Sequence, residues 1–238
     1  MTVSVGFLGG LGEVGRNCAA IEVNGTLGLI DCGLMFPEED MLGVDLVLPD
    51  FASVLEQRDR LACVILTHGH EDHIGALSYL LRDANVPVYG SALAVELARP
   101  RLGDHGLDVD LRAIEMGQWV DEGALRFSLV QVAHSVPEAA GVAFDTPEGL
   151  VVHSGDFKLD PMPIDGTPTD LATFAEFGRR GVRLLLGDST NAERPGHVPS
   201  ESTVGAALHD IVGKAEGRVI VACFASHIHR MQQAIDAI

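Results

Sequence analysis

Basic side chains are scarce in this 238-residue chain: 16 lysines and arginines stand against 34 aspartates and glutamates, for a formal charge of −18. That balance excludes the broad positive footprint of non-specific nucleic-acid binding, so any polyanion must be gripped locally. Cysteine is sparse as well. Cys18, Cys32, Cys63 and Cys223 lie among apolar neighbours without CxxC spacing, which excludes a zinc ribbon or disulfide frame and leaves four small buried side chains. No apolar run reaches the roughly 18–20 residues of a membrane span. The start "MTVSVGFLGG" lacks the basic opening and long apolar core of a signal peptide. The expectation is a cytoplasmic protein without membrane association. Repeats and low-complexity linkers are also missing, while 47% of the residues are hydrophobic. That is enough for one large core or two smaller ones.

Strand and helix patterns alternate along the chain. "VSVGFL" and "CAAIEV" read as strands, and Asn24-Gly25 reads as a hairpin turn into a returning strand, "TLGLID". After a long loop come an apolar strand, "ACVIL", a helix to about Arg82 and a short strand, "VPVYG". Next are a helix, "SALAVELARPRL", with Pro100 near its end, and a strand, "LRFSLVQVA". The pair "AGVAFDT" and "GLVVHSG" turns at Pro147 to Gly149, "DLATFAEFGRRG" is helical, and "VRLLLGD" is a strand. From Ser200, "SESTVGAALHDIVGKAEG" has helix-start chemistry and a glycine stop, "RVIVACF" reads as a buried strand, and a last helix starts near Ser226. The weakest candidate boundary lies at about 190–200.

Gly10-x-Gly12-x-x-Gly15 in "GGLGEVGRN" follows a strand and precedes Asp31, which imitates a dinucleotide-binding fingerprint. That fingerprint requires a helix whose N-terminus faces the pyrophosphate. The following "RNCAAIEVNGTLGLID" is alternating and interrupted by Asn-Gly, so the segment reads instead as a tight glycine turn between strands.

The densest chemistry is "LTHGHEDHIG", Leu66 to Gly75. On a helix, His68 and His70 would project about 200° apart and could not share an ion. In extended backbone leaving a strand they lie on one side. They can then hold one metal, while Asp72 and His73, carried round the turn into a helix, face a second. Imidazole and carboxylate ligands suit zinc, with manganese or another divalent ion as the alternative. Two further strand exits end in polar residues, His134 and Asp156. His153 rivals Asp156, but a carboxylate can bridge two ions and a neutral imidazole cannot.

"HGHEDH", then His134, then "SGDF" resembles the ligand series of the metallo-β-lactamase superfamily, which implies an α/β fold, the αββα sandwich. With "GGLGEVGRN", "DCGLMFPEEDMLGVDLVLPD", "GDSTNAE" and "FASHIHRMQQ", the chain is similar over essentially its whole length to the bacterial ribonuclease J family, of the β-CASP nuclease branch. The resemblance implies a metal-dependent ribonuclease, with 5′-to-3′ exonuclease and endonuclease action on single-stranded RNA bearing a 5′-monophosphate. It implies two Zn2+ ions, or Mn2+ or Mg2+. His68, His70 and His134 would hold one, Asp72 and His73 the other, with Asp156 bridging and the ions activating a hydroxide. Asp72, Asp156 and Asp188 are the implied catalytic carboxylates, Asp188 matching the first β-CASP motif and also readable as a cap or turn acid. Asp31 is implied as a carboxylate orienting a ligand histidine. The complete protein would be a homo-oligomer, on which the residues themselves are silent.

On this reading residues 1–199 form the lactamase-like domain, expected to lack its C-terminal return, and residues 200–238 begin the inserted β-CASP domain. The family's later histidines then have no counterpart. His227 and His229 project to nearly opposite sides of the expected helix and read as helix-start positions. Two alternatives stay open: a thioesterase-like or lactamase-like small-molecule hydrolase, and a metal-binding fragment without turnover.

Overall fold

A computed structural model of the chain describes residues 2–238. Two sheets and two helical layers account for its core. The first sheet runs in chain order through β1 (Val3–Gly9), β2 (Cys18–Val23), β3 (Thr26–Ile30), β4 (Leu61–Ile65), β5 (Val88–Gly90) and β6 (Leu111–Ala113). Its first three strands are antiparallel; β3 to β6 are parallel. The second sheet contains β7 (Trp119–Glu122), β8 (Leu125–Gln131), β9 (Ala140–Thr146), β10 (Gly149–His153) and β11 (Val182–Leu186), ordered β11-β10-β9-β8-β7.

Alternation along the strands decides which faces meet. Ile21, Cys63 and Ile65 of the first sheet pack on Leu125, Phe127, Leu129, Val142 and Phe144 of the second. The opposite face of the first sheet, through Leu29, Val64 and Val88, receives α3 (Leu77–Leu81) and α4 (Ala92–Asp104). The far face of the second, through Val130, Leu150 and Val152, receives Phe177 of α5 (Leu171–Arg180). The layers are therefore helix, sheet, sheet, helix, the αββα sandwich that the resemblance implies. Helix α5 starts at an Asp170 cap, whose side chain accepts from Thr173 N, and stops at Gly181 with φ +97°. Both are ordinary terminal signals.

Several expectations are corrected. The helix after the histidine cluster is broken into α2 (Glu71–Ile74) and α3, because Ala76 leaves helical geometry and donates its N–H to Cys32 O instead. A short α1 (Ala52–Leu55) and strands β6 and β7 were not anticipated; β6 and β7 are brief, part-polar edge segments. "RVIVACF" is not a strand. Residues 218–224 have no ladder partner among the described residues, and Ile220 and Phe224 are each 84% exposed. A strand gains its hydrogen bonds only from a neighbour, so an apolar pattern without one stays irregular. For the same reason Cys223 is exposed, whereas Cys18, Cys32 and Cys63 are buried as expected. The last helices, α6 (Ser202–Lys214) and α7 (Ile228–Asp236), pair with each other; Glu201 ahead of α6 is bound by Lys158 and by Arg230 of α7.

The loop after β3 is the tightest junction. Cys32 N donates to His73 O, which the short helix leaves unpaired, Gly33 N to Asn17 O, and Leu34 N to Glu71 O, which also accepts from Gly75 N. A Cβ on Gly33 would stand 1.6 Å from Asp72 O. Gly33→Ala must therefore displace backbone, and should cost roughly 3 kcal/mol or more. Differential scanning calorimetry should show a melting temperature lower by roughly 6–12 °C.

Candidate metal centre

The C-terminal ends of strands from both sheets open at one edge of the sandwich, and five of the six predicted ligands form groups there, with Asp72 outside both groups but 3.5 Å from His73 Nε2. His68 and His70 leave β4, His73 sits in α2, His134 follows β8 and Asp156 follows β10. A hydrogen bond from Ala140 N to Thr67 O, 2.9 Å, stitches the second sheet to the histidine loop. Gly155, at φ +61°, lets the chain turn into Asp156; a Cβ there would meet Ala140 O at 2.3 Å. Only glycine fits that position.

Two groups of ligand atoms emerge, each with all members within 4.8 Å: His68, His70 and His134, and His68, His73 and Asp156. His134 Nε2 is 3.3 Å from His70 Nδ1, and His73 Nε2 is 3.5 Å from both Asp72 Oδ2 and Asp156 Oδ2. Ligand atoms 2.0–2.1 Å from a tetrahedral ion stand roughly 3.3 Å apart, so these separations suit a metal. Charge agrees with spacing. Burial holds His68 well below the usual imidazole range and His134 down to about 3, so both offer lone pairs at neutral pH. His68 Nε2 and His134 Nδ1 are buried with no hydrogen-bond partner. An orphaned buried imidazole nitrogen is costly unless something electropositive meets it.

His73 is set differently. Burial pushes its basicity down, but the charge of Asp31, and the hydrogen bonds and charge of Asp156 and Asp31 together, more than offset that and leave it well above normal. Its Nδ1 lies 2.8 Å from Asp31 Oδ2. Asp31 also accepts from Thr67 N and Thr67 Oγ1, both at 2.8 Å, and is itself held at φ +61°. The carboxylate thus fixes the ring and raises its donor strength toward a cation at Nε2. Burial raises the Asp156 carboxyl, yet its hydrogen bond to His73 and the charges of His73, His134 and His70 bring it down to about 2. It is ionised at any working pH.

Other residues singled out in the sequence stand outside the two ligand groups. His153 turns back on its own chain, its Nδ1 accepting from Gly155 N at 3.0 Å, so Asp156 rather than His153 joins the cluster. The Asp188 carboxylate accepts from Thr190 N in a local turn and its backbone N–H donates to Ser154 Oγ; it joins neither ligand group. His227 caps α7, accepting from Arg230 N, and His229 lies 3.7 Å from Asp165, so those two do not converge. Thr67, Ser135 and Asn17 are contacts the sequence did not reveal; Ser135 Oγ is 3.3 Å from His70 Nε2. Each is a common polar residue whose role depends on a strand it meets only in three dimensions.

A family model described as Metallo-beta-lactamase superfamily matches residues 11–213. The chain belongs to the metallo-beta-lactamase superfamily. Its superfamily fold is shared with a solved protein of unknown function from Enterococcus faecalis V583, with a TM-score of 0.68 at 17% identity over 98% of this chain and 62% of that one. Curated relatives are nearer in sequence. The chain is 46% identical to "Ribonuclease J" of Mycolicibacterium smegmatis over 97% of its own length and 41% of the relative's. It is 44% identical to "Ribonuclease J" of Thermus thermophilus and 42% identical to "Ribonuclease J2" of Bacillus subtilis, again over 97% of this chain and 42% of each relative. The chain spans about two-fifths of the length of these relatives.

His68→Ala should remove a ligand of one ion and also open the wall beside the neighbouring group, since the His68 and His73 ring centroids are 4.0 Å apart, whereas His70→Ala should weaken mainly one ion. Metal content after dialysis against Zn2+, measured by mass spectrometry, should fall further in the first variant. Equal, undiminished content in both would remove these histidines from the centre.

Proposed function

We propose that this chain is the metal-binding catalytic part of a ribonuclease that hydrolyses single-stranded RNA. The observation that carries the reading is the 46% identity to a ribonuclease J over 97% of this chain, a span that includes the whole ligand series. The assignment of His68, His70 and His134 to one ion, Asp72 and His73 to a second, and Asp156 between them is ours. Zinc is the proposed ion, with manganese or magnesium as substitutes. Such ions supply charge neutralisation at phosphate and activate water at neutral pH.

The chain's own residues do the rest. Asp31 locks the His73 ring, and Asp156 joins the His68 and His73 group while lying 3.9 Å from His134 Nε2 of the other. On the centre's open side lies a cavity of about 740 Å³, lined by His70, Glu71, Asp72, Met35, Phe36, Phe224 and His227 among others. Its mixed lining, with 65% and 84% exposed Phe36 and Phe224, suits flat bases beside a charged backbone. A 5′-monophosphate preference, combined exonuclease and endonuclease action and homo-oligomeric assembly are further parts of the proposal, as is a division into residues 1–199 and 200–238. Asp188 remains a proposed catalytic carboxylate, its backbone tied to Ser154, two positions before Asp156, by a 2.9 Å hydrogen bond.

The test is hydrolysis of 5′-monophosphorylated single-stranded RNA with Zn2+ or Mn2+. Asp72→Ala and Asp156→Ala should each bring cleavage to background, as should a chelator, with activity restored by adding the ion. A preparation that hydrolyses a thioester or a β-lactam and leaves RNA intact would instead establish a small-molecule hydrolase.

A further inference from the structure

The glycine-rich segment ahead of β2 binds no nucleotide by its geometry, since a strand and not a helix follows it. It is nevertheless an expensive piece of backbone. Gly10, Gly12 and Gly15 have φ of +80°, +74° and +111°, and Arg16 is left-handed at +41°. Glu13 braces the turn by accepting from Gly10 N at 3.0 Å and pairing with Arg16 at 2.6 Å. A left-handed non-glycine residue is strained and persists only where the surroundings impose it.

What the turn delivers is Asn17. Its backbone N–H donates to Asp72 O at 2.9 Å and its carbonyl accepts from Gly33 N at 2.9 Å, so the residue is clamped between the loop and α2. Its side-chain Nδ2 lies 3.1 Å from each of three atoms: Asp72 O, Asp72 Oδ2 and His73 Nε2. Two of these are oxygens that can only accept, which fixes the amide with its NH2 group toward them; the reverse orientation would set three oxygens against one another. Oδ1 then faces Gly10, where a Cβ would stand 2.5 Å from it. Glycine at position 10 is therefore what lets the amide lie this way.

We propose that Asn17 is a positioning residue for the His73 and Asp72 half of the centre, and that the glycine turn serves to present it. With the His73 Nδ1 hydrogen given to Asp31, its Nε2 presents a lone pair, and the amide's two hydrogens face three acceptors. One acceptor must therefore find another partner, and a cation at His73 Nε2 leaves both hydrogens for Asp72. Asn17 then orients the carboxylate from one side while Asp31 orients the imidazole from the other. The inference rests on the two-ion reading given above.

Calorimetric titration of the full chain with Zn2+ separates the possibilities. The wild-type chain should bind two ions; Asn17→Ala should weaken one of them by roughly 10- to 100-fold and leave the other within about twofold. Asn17→Asp keeps the shape, removes both donor hydrogens and should also weaken that ion. Gly10→Ala, which displaces the amide without touching it chemically, should follow Asn17→Ala. Two-ion binding unchanged in Asn17→Ala, or both ions weakened alike, would overturn the positioning role while leaving the metal centre intact. Tighter binding in Asn17→Asp would overturn it too, since it would make the residue a direct ligand. A wild-type chain that binds no ion would overturn the metal reading itself.

Discussion

A buried carboxylate holds the functional edge of this protein together. Asp31 is 1% exposed, at the end of β3, in a backbone conformation that disfavours any side chain but glycine. A carboxyl group out of water is costly without partners, and this one receives Thr67 N, Thr67 Oγ1 and the His73 ring. Those three contacts bind the exit of β3 to the exit of its parallel neighbour β4 and to α2. The path of the histidine loop, the tautomer of His73 and the close approach of Gly33 to Asp72 all presuppose it.

Regions where chemistry and periodicity coincide were legible in the sequence. The strands that form the two buried faces announce themselves by alternation, and the spacing of the cluster could be converted to geometry because His68 and His70 leave a strand while Asp72 and His73 enter the helix that follows it. His134 and Asp156 were visible as polar ends of apolar runs. What failed to show was pairwise. Nothing in the residues around Asn17 says that α2 lies against it, and the break at Ala76 arises from a carbonyl 44 positions earlier, that of Cys32. Residues 218–224 illustrate the opposite error: their pattern is that of a strand, but pattern supplies only a face and a neighbour must supply the ladder.

The shortage of basic residues and the shape of the centre belong to one electrostatic design. A chain of charge −18 repels polyanions at a distance. The ligand cluster answers locally, with neutral imidazoles from both sheets and carboxylates only where a cation would need them. Burial keeps His68 and His134 uncharged, while Asp31 and Asp156 draw positive charge to His73. On the proposed metal reading, bound cations would confine positive charge to one edge of an otherwise acidic surface.

The split of the ligands between two sheets also has a kinetic consequence. His68 and Asp156 are separated by most of a hundred residues, and the contact between them exists only after β4, β8 and β10 have stacked. Loop closure over such distances is slow, and nothing local rewards it before the inner faces meet. The coordination sphere is consequently one of the last features a folding chain can complete. A misassembled sandwich could carry every ligand residue and still offer no site, so the centre acts as a checkpoint on the docking of the two halves.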